Sequence, residues 1–264
     1  MSRRIILLAA IFASFLVGAS GAGAAATFTD PAGDATGGAT DITGVSVSND
    51  LDGNITISLT TNRSVFTSDD FAVIVLNTDK NASTGVGGAD YAIVVDASSA
   101  VLLKATGTTF TRDTPQTTLH ATNNNMTVTI NRSDLGGTTG FLFLVSSGLD
   151  SNDAAADDAP DSGAYTYDLS LKPVLNTLAA HFSPAKPKAG KTFRLAGATL
   201  RLEDGTSVKA DSITCVATLN GKRLAGRCAW HIPANAHGKR LVVVLTAHYQ
   251  GATATFTPWR FRVG

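Results

Sequence analysis

Apolar and polar residues alternate strictly along several segments of this chain. The clearest cases are Ile55/Ile57/Leu59, Met126/Val128/Ile130, Tyr165/Tyr167/Leu169 and Trp259/Phe261/Val263. A period of two sends successive side chains to opposite faces of a strand, so each segment is predicted to be a β-strand with one buried face. No segment shows a sustained helical period. The best helical candidate is a single turn at 132–135.

Three continuous apolar runs lie between the alternating segments, at 71–76, 91–95 and 141–145. Such runs predict strands that are buried on both faces. Gly, Asp and Asn turns separate about eight to ten short strands in 27–170, a pattern typical of a β-sandwich. We therefore predict an all-β chain with two tandem β-sandwich domains after a cleaved signal peptide.

The charges divide the chain into two parts. Residues 27–170 contain 18 acidic and 5 basic residues, whereas 171–264 contain 3 acidic and 14 basic residues. This asymmetry predicts two modules with different partners, because net charge affects association more than fold. The predicted domains are an acidic sandwich at 27–170 and a basic sandwich at 171–264.

Residues 1–26 have the organisation of a bacterial secretory signal peptide. Arg3 and Arg4 precede an apolar stretch at 5–18, and small residues offer cleavage near Ala24 or Ala26. The apolar stretch is shorter than the roughly 20 residues that a membrane span needs. We therefore expect a secreted, extracellular protein with no membrane span in the mature chain.

Several short motifs of the acidic domain resemble a known group of modules. They are Asp-Pro-Ala-Gly-Asp at 30–34 with Thr-Asp-Ile at 40–42, the Asp-rich loop at 75–91, the segment 128–135 and Asp-Ala-Pro-Asp at 158–161. These motifs resemble the sandwiches related to carbohydrate-binding family 9 and to the C-terminal module of glucodextranase. The resemblance implies a β-sandwich and, as a function, sugar binding.

Clustered Asp and Asn residues in Gly-rich loops are the expected signature of a Ca²⁺ site, because Ca²⁺ takes six to eight oxygen ligands. Three clusters qualify: Asp30/Asp34/Asp41, Asp79/Asn81/Ser83/Asp90 and Asp150/Asn152/Asp153/Asp157/Asp158/Asp161. We predict a site formed by Asp30, Asp34 and Asp41 with Asp158 and Asp161 from the closing loop. Asp79, Asn81 and Asp90 form a second possible site. The alternative is that these residues only form turns and keep the surface soluble.

Sugar binding and catalysis both receive weak support from the residue types. Sugars commonly stack on Trp or Tyr, but the acidic domain contains no Trp and only Tyr91, Tyr165 and Tyr167. A haem would need Met126 and His120, and Met126 alternates as a core residue does. His120 is the only His in this domain, and the chain has no Gly-x-Ser-x-Gly motif. We predict a protein that is not an enzyme.

The basic domain resembles a bacterial immunoglobulin-like or fibronectin-type surface domain through its opening segment at 182–193. Its Lys and Arg residues are spread singly along predicted strands and turns. That spacing suits solvated faces and protected sheet edges. The summed charge would equally attract an anionic cell-wall polymer.

The two cysteines, Cys215 and Cys228, are expected to form a disulfide because an exported chain meets oxidising conditions. They flank the hairpin signal at Asn220 and Gly221, so the bond is predicted to join neighbouring strands. A metal site with His231 or His237 is the alternative, but the paired short spacings of zinc sites are missing. Trp230 is predicted to pack in the core beside the bond.

Two functions from different classes remain open at this stage. In the first, the acidic domain binds carbohydrate, is stabilised by Ca²⁺ and is carried by a wall-docking domain. In the second, both domains are structural or adhesive modules with no small-molecule ligand. The expected partner is a polysaccharide or an anionic cell-wall polymer, and no nucleic acid. An exposed aromatic platform on the acidic domain would favour the first function.

Overall fold

The computed structural model describes residues 24–114, 118–122 and 126–264. These residues form two compact units, the first ending at Leu171 and the second spanning Lys172–Gly264. We call them the first and second domains. Each consists of antiparallel sheets around its own apolar core, so the all-β sandwich prediction is confirmed. Of the predicted signal peptide, all but residues 24–26 lies outside the described part of the chain.

The first domain is built from short strands joined by turns. Its described strands are β1 (Ala25–Thr29), β2 (Ile42–Asn49), β3 (Asn54–Thr61), β4 (Asp70–Asn77), β5 (Tyr91–Asp96), β6 (Ala100–Thr106), β7 (Thr109–Arg112), β8 (His120–Thr122), β9 (Thr127–Asn131), β10 (Gly140–Leu149), β11 (Asn152–Ala159) and β12 (Tyr165–Asp168).

These strands form two sheets. One has the order β1-β2-β3-β9-β8, and the other has the order β11-β10-β4-β5-β6-β7, with β12 also paired to β10. Alternate residues of the facing strands, such as Ile57 and Val128 in one sheet and Ile74 and Phe143 in the other, form a single core. The period-two segments therefore face inward as predicted.

The apolar runs in β4 and β10 are not buried on both faces as predicted, whereas in β5 only Val94 of the run 91–95 is half-buried. In β4 the even-numbered residues are buried, whereas Phe71, Val73 and Val75 are half-buried on the outer face. Their exposure is limited because β4 is a central strand: Val73, for example, lies opposite Val94 of β5 and Ser146 of β10. Apolar neighbours across a sheet shield one another without a covering layer.

The predicted helical turn is confirmed as a 3₁₀ helix at Arg132–Leu135. The side chain of Asn131 caps its start by accepting a hydrogen bond from the backbone N of Ser133 at 3.0 Å, and Gly136 ends it with a φ of 71°. A second short 3₁₀ helix spans Ala234–Ala236. No helix in the described residues is both long and apolar enough to cross a membrane.

The second domain repeats the two-sheet plan with fewer strands. Its strands are β13 (Leu175–Ser183), β14 (Thr192–Leu202), β15 (Ser207–Val208), β16 (Ser212–Leu219), β17 (Lys222–Arg223), β18 (Ala229–His231), β19 (Arg240–Tyr249), β20 (Ala252–Thr255) and β21 (Trp259–Arg262). One sheet has the order β13-β14-β15 with β18 on β14, and the other has the order β17-β16-β19-β20 with β21 on β19.

The predicted disulfide between Cys215 and Cys228 is present, but it does not join neighbouring strands. The hairpin at Asn220 forms as predicted and links β16 to β17. The chain then crosses to the other sheet, where the carbonyl of Cys228 accepts a hydrogen bond from the backbone N of Leu195 in β14 at 2.9 Å. The bond therefore connects the two sheets, and both sulfurs are unavailable to a metal. Trp230 is buried beside it, as predicted.

Candidate metal centre

The loop between β1 and β2 lies along the edge strand β11 of the opposite sheet. The backbone N of Thr36 donates to the carbonyl of Ala156 at 2.9 Å, and the side-chain amide of Asn152 donates to the carbonyl of Gly37 at 3.1 Å. Gly37 has a φ of 62°, and a Cβ there would lie 2.7 Å from the Cα of Ala155. Only glycine tolerates both the conformation and the approach. This contact brings the first and third acidic clusters together.

Three carboxylates meet where this loop contacts β11. Asp30, Asp34 and Asp157 each offer one oxygen, and these three oxygens lie within 4.8 Å of one another. Asp30 and Asp157 are buried, with 9% and 5% of their surface exposed, and Asp34 is exposed. Two carboxylates of the centre are thus buried, and the third lies on its solvent side.

The Oδ2 atom of Asp30 is buried without a hydrogen-bond partner among the described residues. Its other oxygen, Oδ1, is 3.5 Å from the hydroxyl of Tyr165. Buried carboxylate oxygens are nearly always hydrogen-bonded or bound to a cation, because desolvating a charge costs several kcal/mol. An unpartnered buried oxygen beside two further carboxylates is a place where a proton or a bound cation would be favourable.

The protonation equilibria of the site reflect crowded negative charge. Burial raises the pKa of Asp30 to about 6, and the charges of Asp161, Asp157 and Asp34 add to the shift. Burial also raises the pKa of Asp157, with Asp34 among the contributing charges. A hydrogen bond with Asp34 raises the pKa of Asp161. Without a cation, repulsion between the carboxylates favours their protonated forms.

Without a bound cation, the first domain is expected to lose stability as the pH rises from 3.8 to about 6. In this window folded Asp30 still holds a proton that the unfolded chain has released, so the folded state binds more protons and the free energy of unfolding falls with pH. The loss is at most about 3 kcal/mol for a shift of this size. Urea unfolding of the chelator-treated chain, followed by circular dichroism across this window, measures it. Asp30→Asn should flatten the dependence, and a free energy that rises through the window would contradict it.

The other residues predicted for this site lie around it with different contacts. Both carboxylate oxygens of buried Asp41 accept a hydrogen bond from the backbone N of Gly33 at 3.1 Å, which folds the loop that carries Asp34. The carboxylate of Asp158 accepts a hydrogen bond from the hydroxyl of Ser146. The structure thus brings Asp30 and Asp34 together as candidate metal ligands. Asp41 and Asp158 instead make contacts that organise the surrounding structure.

Asp157 completes the trio, although sequence reasoning favoured its neighbour Asp158. The two residues are adjacent on β11, so they point to opposite faces of the sheet, and Asp157 is the one that faces inward. Its Oδ2 accepts a hydrogen bond from the backbone N of Ile42 at 2.6 Å. The sequence could have identified Asp157 only by showing which alternate residues of β11 face inward. The Ala-rich segment around it lacks the apolar–polar alternation that would show this.

The second predicted site uses its oxygens to fold its own loop. Oδ2 of Asp90 accepts hydrogen bonds from the backbone N and the hydroxyl of Thr78 at 2.8 and 3.0 Å. Asp79 accepts from the backbone N of Asn81 at 2.8 Å and from the hydroxyl of Thr84 at 2.8 Å. Asp79, Asn81 and Asp90 thus match the turn-forming alternative, and a metal at this loop stays a prediction.

Aromatic side chains of the first domain do not form an exposed platform in the part of the chain that the structure describes. Tyr91 and Tyr167 are buried, and Tyr165 is half-buried against the ring of Phe28 at 4.6 Å between centroids. Large apolar side chains that are well exposed among the described residues are limited to Val65 and Val174. A sugar ring would find no flat aromatic surface here.

Comparisons with known proteins leave the family open. No protein-family model matches the chain, and no curated protein matches it. Among solved structures, it is similar to the amphioxus IgVJ-C2 molecule, with 14% identity, 81% of this chain and 98% of that chain covered, and a TM-score of 0.28. It is also similar to murine CEACAM1b, with 8% identity, 81% and 94% covered, and a TM-score of 0.28. Similarity at this TM-score identifies neither a family nor a function for this chain. The resemblance to carbohydrate-binding family 9 and to the glucodextranase module is not shown by these comparisons.

Proposed function

We propose that this chain is an exported, non-catalytic binding or structural protein of the bacterial cell surface or extracellular space, whose first domain is completed by a bound Ca²⁺. The observation that carries the proposal is the buried, unpartnered Oδ2 of Asp30 within the carboxylate trio. A divalent cation there would replace the missing partner and neutralise charges that otherwise repel one another.

Ca²⁺ fits the donor set better than a transition metal. The trio offers carboxylate oxygens alone, with no imidazole or thiolate, and hard oxygen ligands favour Ca²⁺ or Mg²⁺ over zinc or copper. The exposed position of Asp34 leaves room for water ligands on the solvent side. Ca²⁺ accepts such an irregular, partly hydrated shell more readily than Mg²⁺, which demands a near-ideal octahedron.

The cation would link the two sheets of the first domain. Asp30 follows β1 at the edge of one sheet, and Asp157 lies on β11 at the edge of the other. An ion bound to both would tie the start of the described chain to the opposite sheet. Such a link suits a protein that works outside the cytoplasm. Extracellular modules bind Ca²⁺ with dissociation constants of about 10⁻⁴–10⁻³ M.

Saturating Ca²⁺ is expected to stabilise the first domain by about 2.7 kcal/mol at a hundredfold excess over the dissociation constant. For a domain of this size, that is a rise in the unfolding midpoint of about 8 °C. The purified chain is unfolded thermally with Ca²⁺ and with chelator at constant ionic strength, so that general screening stays equal. Circular dichroism follows both domains, whereas tryptophan fluorescence follows the second domain alone, because Trp230 and Trp259 both lie there.

Two single variants locate the ion. Asp30→Asn should abolish the Ca²⁺ response, and Asp79→Asn should leave it intact because that residue serves its own loop. Loss of the response in Asp79→Asn alone would move the ion to the second cluster. If Ca²⁺ does not shift the unfolding midpoint of the unsubstituted chain, the trio is a cluster of carboxylates that share protons, and the proposal is wrong.

A structural or adhesive role fits the first domain better than sugar binding. Sugar stacking needs a flat aromatic face, and the described aromatic rings of this domain are buried or half-buried. A glycan array with the Ca²⁺-loaded chain tests the choice. Specific retention of a neutral sugar would restore carbohydrate binding as the function.

A further inference from the structure

Four basic side chains line a groove of 630 Å³ at one end of the second domain: Lys239, Arg240, Arg260 and Arg262. The pairing of β19 with β21 sets Arg240 directly opposite Arg262 and Val242 directly opposite Arg260. Directly paired residues share a face of a sheet, and so do residues two apart on one strand. Arg240, Arg260 and Arg262 therefore project from the same outer face of the sheet.

The basic row continues across the sheet. Val242 also lies opposite Thr218 of β16, and Thr218 lies opposite Arg223 of β17. Arg223 and Arg260 thus occupy the two ends of one cross-strand row of four residues, about 14 Å apart at the usual spacing between strands. Arg223, Arg240, Arg260 and Arg262 are exposed. We call these four residues and Lys239 the basic face.

Nothing acidic among the described residues of the second domain neutralises the basic face. None of its members forms an ion pair with a carboxylate of this domain in the part of the chain that the structure describes. The acidic residues of the second domain lie elsewhere: Asp211 is at the opposite end of β16, and Glu203 and Asp204 are in the turn between β14 and β15 of the other sheet. Like charges directly opposite one another destabilise a sheet. Arg240 facing Arg262 is therefore a local cost that an anionic ligand would remove.

The geometry of the guanidinium groups suits a phosphate ligand. Nε of Arg262 donates to the carbonyl of Gly238 at 3.2 Å, which fixes the side chain and leaves its terminal N–H groups to the groove. An arginine presents a planar fork of donors that matches phosphate oxygens. A phosphodiester carries its charge on two oxygens of a tetrahedral group, so that guanidiniums from two neighbouring strands can each take one of them.

We infer that the basic face binds a linear phosphodiester polymer, one charged group at the Arg240–Arg262 pair and another at Arg260. The track from the Arg240–Arg262 pair to Arg260 follows the strands within the groove, and the row that ends at Arg223 continues it across the sheet. The inference deepens the proposed surface-binding role by naming a partner, and it rests on that role only for the location of the protein. It does not depend on the cation centre, which lies in the other domain.

The test uses the purified chain and poly(glycerol phosphate), a phosphodiester polymer without bases or sugar rings, immobilised for a binding titration. The triple variant Arg240→Gln, Arg260→Gln, Arg262→Gln should lose at least about tenfold in affinity and bind with a smaller salt dependence, because fewer counterions are released. The matched control removes three equal charges from exposed sites of the same domain: Lys186→Gln, Lys188→Gln, Lys191→Gln. It should lose less than about twofold. Tryptophan fluorescence confirms that both variants fold.

Four results would overturn the inference. Equal losses in the two triple variants would show general charge attraction, and equal affinity for polygalacturonate would show that carboxylate polymers serve as well. Tight binding of free inorganic phosphate alone would show a small-anion site. Self-association of the chain at low salt that the arginine variant abolishes, with no polymer binding, would assign the basic face to the acidic domain of a second copy. Asp30→Asn separates the two proposals, because it should leave polymer binding unchanged even if the cation proposal fails.

Discussion

Replacing Asp70 by Ala is expected to destabilise the first domain by about 2–4 kcal/mol, because it removes a buried carboxylate that accepts four hydrogen bonds, one of them from half-exposed Arg63. Asp70 begins β4 with 1% of its surface exposed, and every group that faces its carboxylate donates to it. Nη1 of Arg63 lies 2.7 Å from Oδ1, and the hydroxyl of Thr40 lies 2.8 Å from the same atom. The backbone N and the hydroxyl of Thr67 each lie 2.7 Å from Oδ2.

The cost is concentrated at the buried donor, because Arg63 and Thr67 can reach water and Thr40 cannot. Thr40 is fully buried, so its hydroxyl would lose its acceptor without gaining water. Arg63, which is partly exposed, would keep its bond to the carbonyl of Gly38 at 2.8 Å and could turn to water with its freed N–H group. Since a domain of this kind is stable by about 5–15 kcal/mol in total, the variant should unfold at a much lower urea concentration.

The adjacent residue supplies a matched control. Asp69 also accepts hydrogen bonds, from the backbone N of Ser151 at 2.8 Å and from its hydroxyl, but this contact is exposed to water. Asp69→Ala should therefore cost about 1 kcal/mol or less. Urea unfolding followed by circular dichroism compares the two variants. Equal losses would show that the buried network around Asp70 contributes nothing beyond an ordinary surface carboxylate.

Asp70 and Asp30 are two buried carboxylates of one domain with opposite electrostatics. Burial alone would raise the pKa of Asp70, but hydrogen bonds from Thr67 and Thr40 and the charge of Arg63 outweigh it and lower the pKa. Its contribution to stability is therefore present above 3.8 and is lost as the pH falls below that value. Asp30 has one long side-chain hydrogen bond, from Tyr165, which burial and the neighbouring carboxylates outweigh, so its pKa rises. The difference is the one expected between a carboxylate that completes the fold and one that the proposed cation would bind.

Much of the fold could be predicted from the sequence, because period two in Ile55/Ile57/Leu59 or Met126/Val128/Ile130 has a direct geometric meaning. The prediction that a continuous apolar run is buried on both faces failed for the run that became β4. An apolar residue on the outer face of a central strand is shielded by its cross-strand neighbours, and those neighbours depend on strand order, which local sequence does not encode. The single helical turn at Arg132–Leu135 was predictable because Asn131 and Gly136 supply a cap at each end.

The candidate site could be predicted only in part for a related reason. Asp30 and Asp34 belong to one loop, so their proximity follows from the chain itself. Asp157 joins them through the contact of that loop with β11, and the choice between Asp157 and Asp158 depends on which face of β11 is turned inward. The basic face was visible only as net charge, because Arg240, Arg260 and Arg262 become neighbours through the register of β19 and β21.

Removing the disulfide by Cys215→Ala with Cys228→Ala is expected to destabilise the second domain alone, by about 3 kcal/mol on the chain-entropy model for a loop of this length. The two residues are 13 positions apart, and the loop between them contains the β16–β17 hairpin before it crosses to the other sheet. In the unfolded chain the bond closes this loop and lowers its entropy, which raises the free energy of the unfolded state. The folded domain also loses its covalent connection between the sheets.

Tryptophan fluorescence isolates this effect, because Trp230 and Trp259 report on the second domain and the first domain contains neither Trp nor Cys. The double variant should shift the fluorescence transition to lower urea and leave the unfolding transition of the first domain, followed by circular dichroism, in place. A reducing agent should reproduce the shift in the unsubstituted chain and have no effect on the double variant. An unchanged fluorescence transition would mean that the shared apolar core, with Phe193 and Trp230 from one sheet and Val243 and Leu245 from the other, holds the sheets together without the bond.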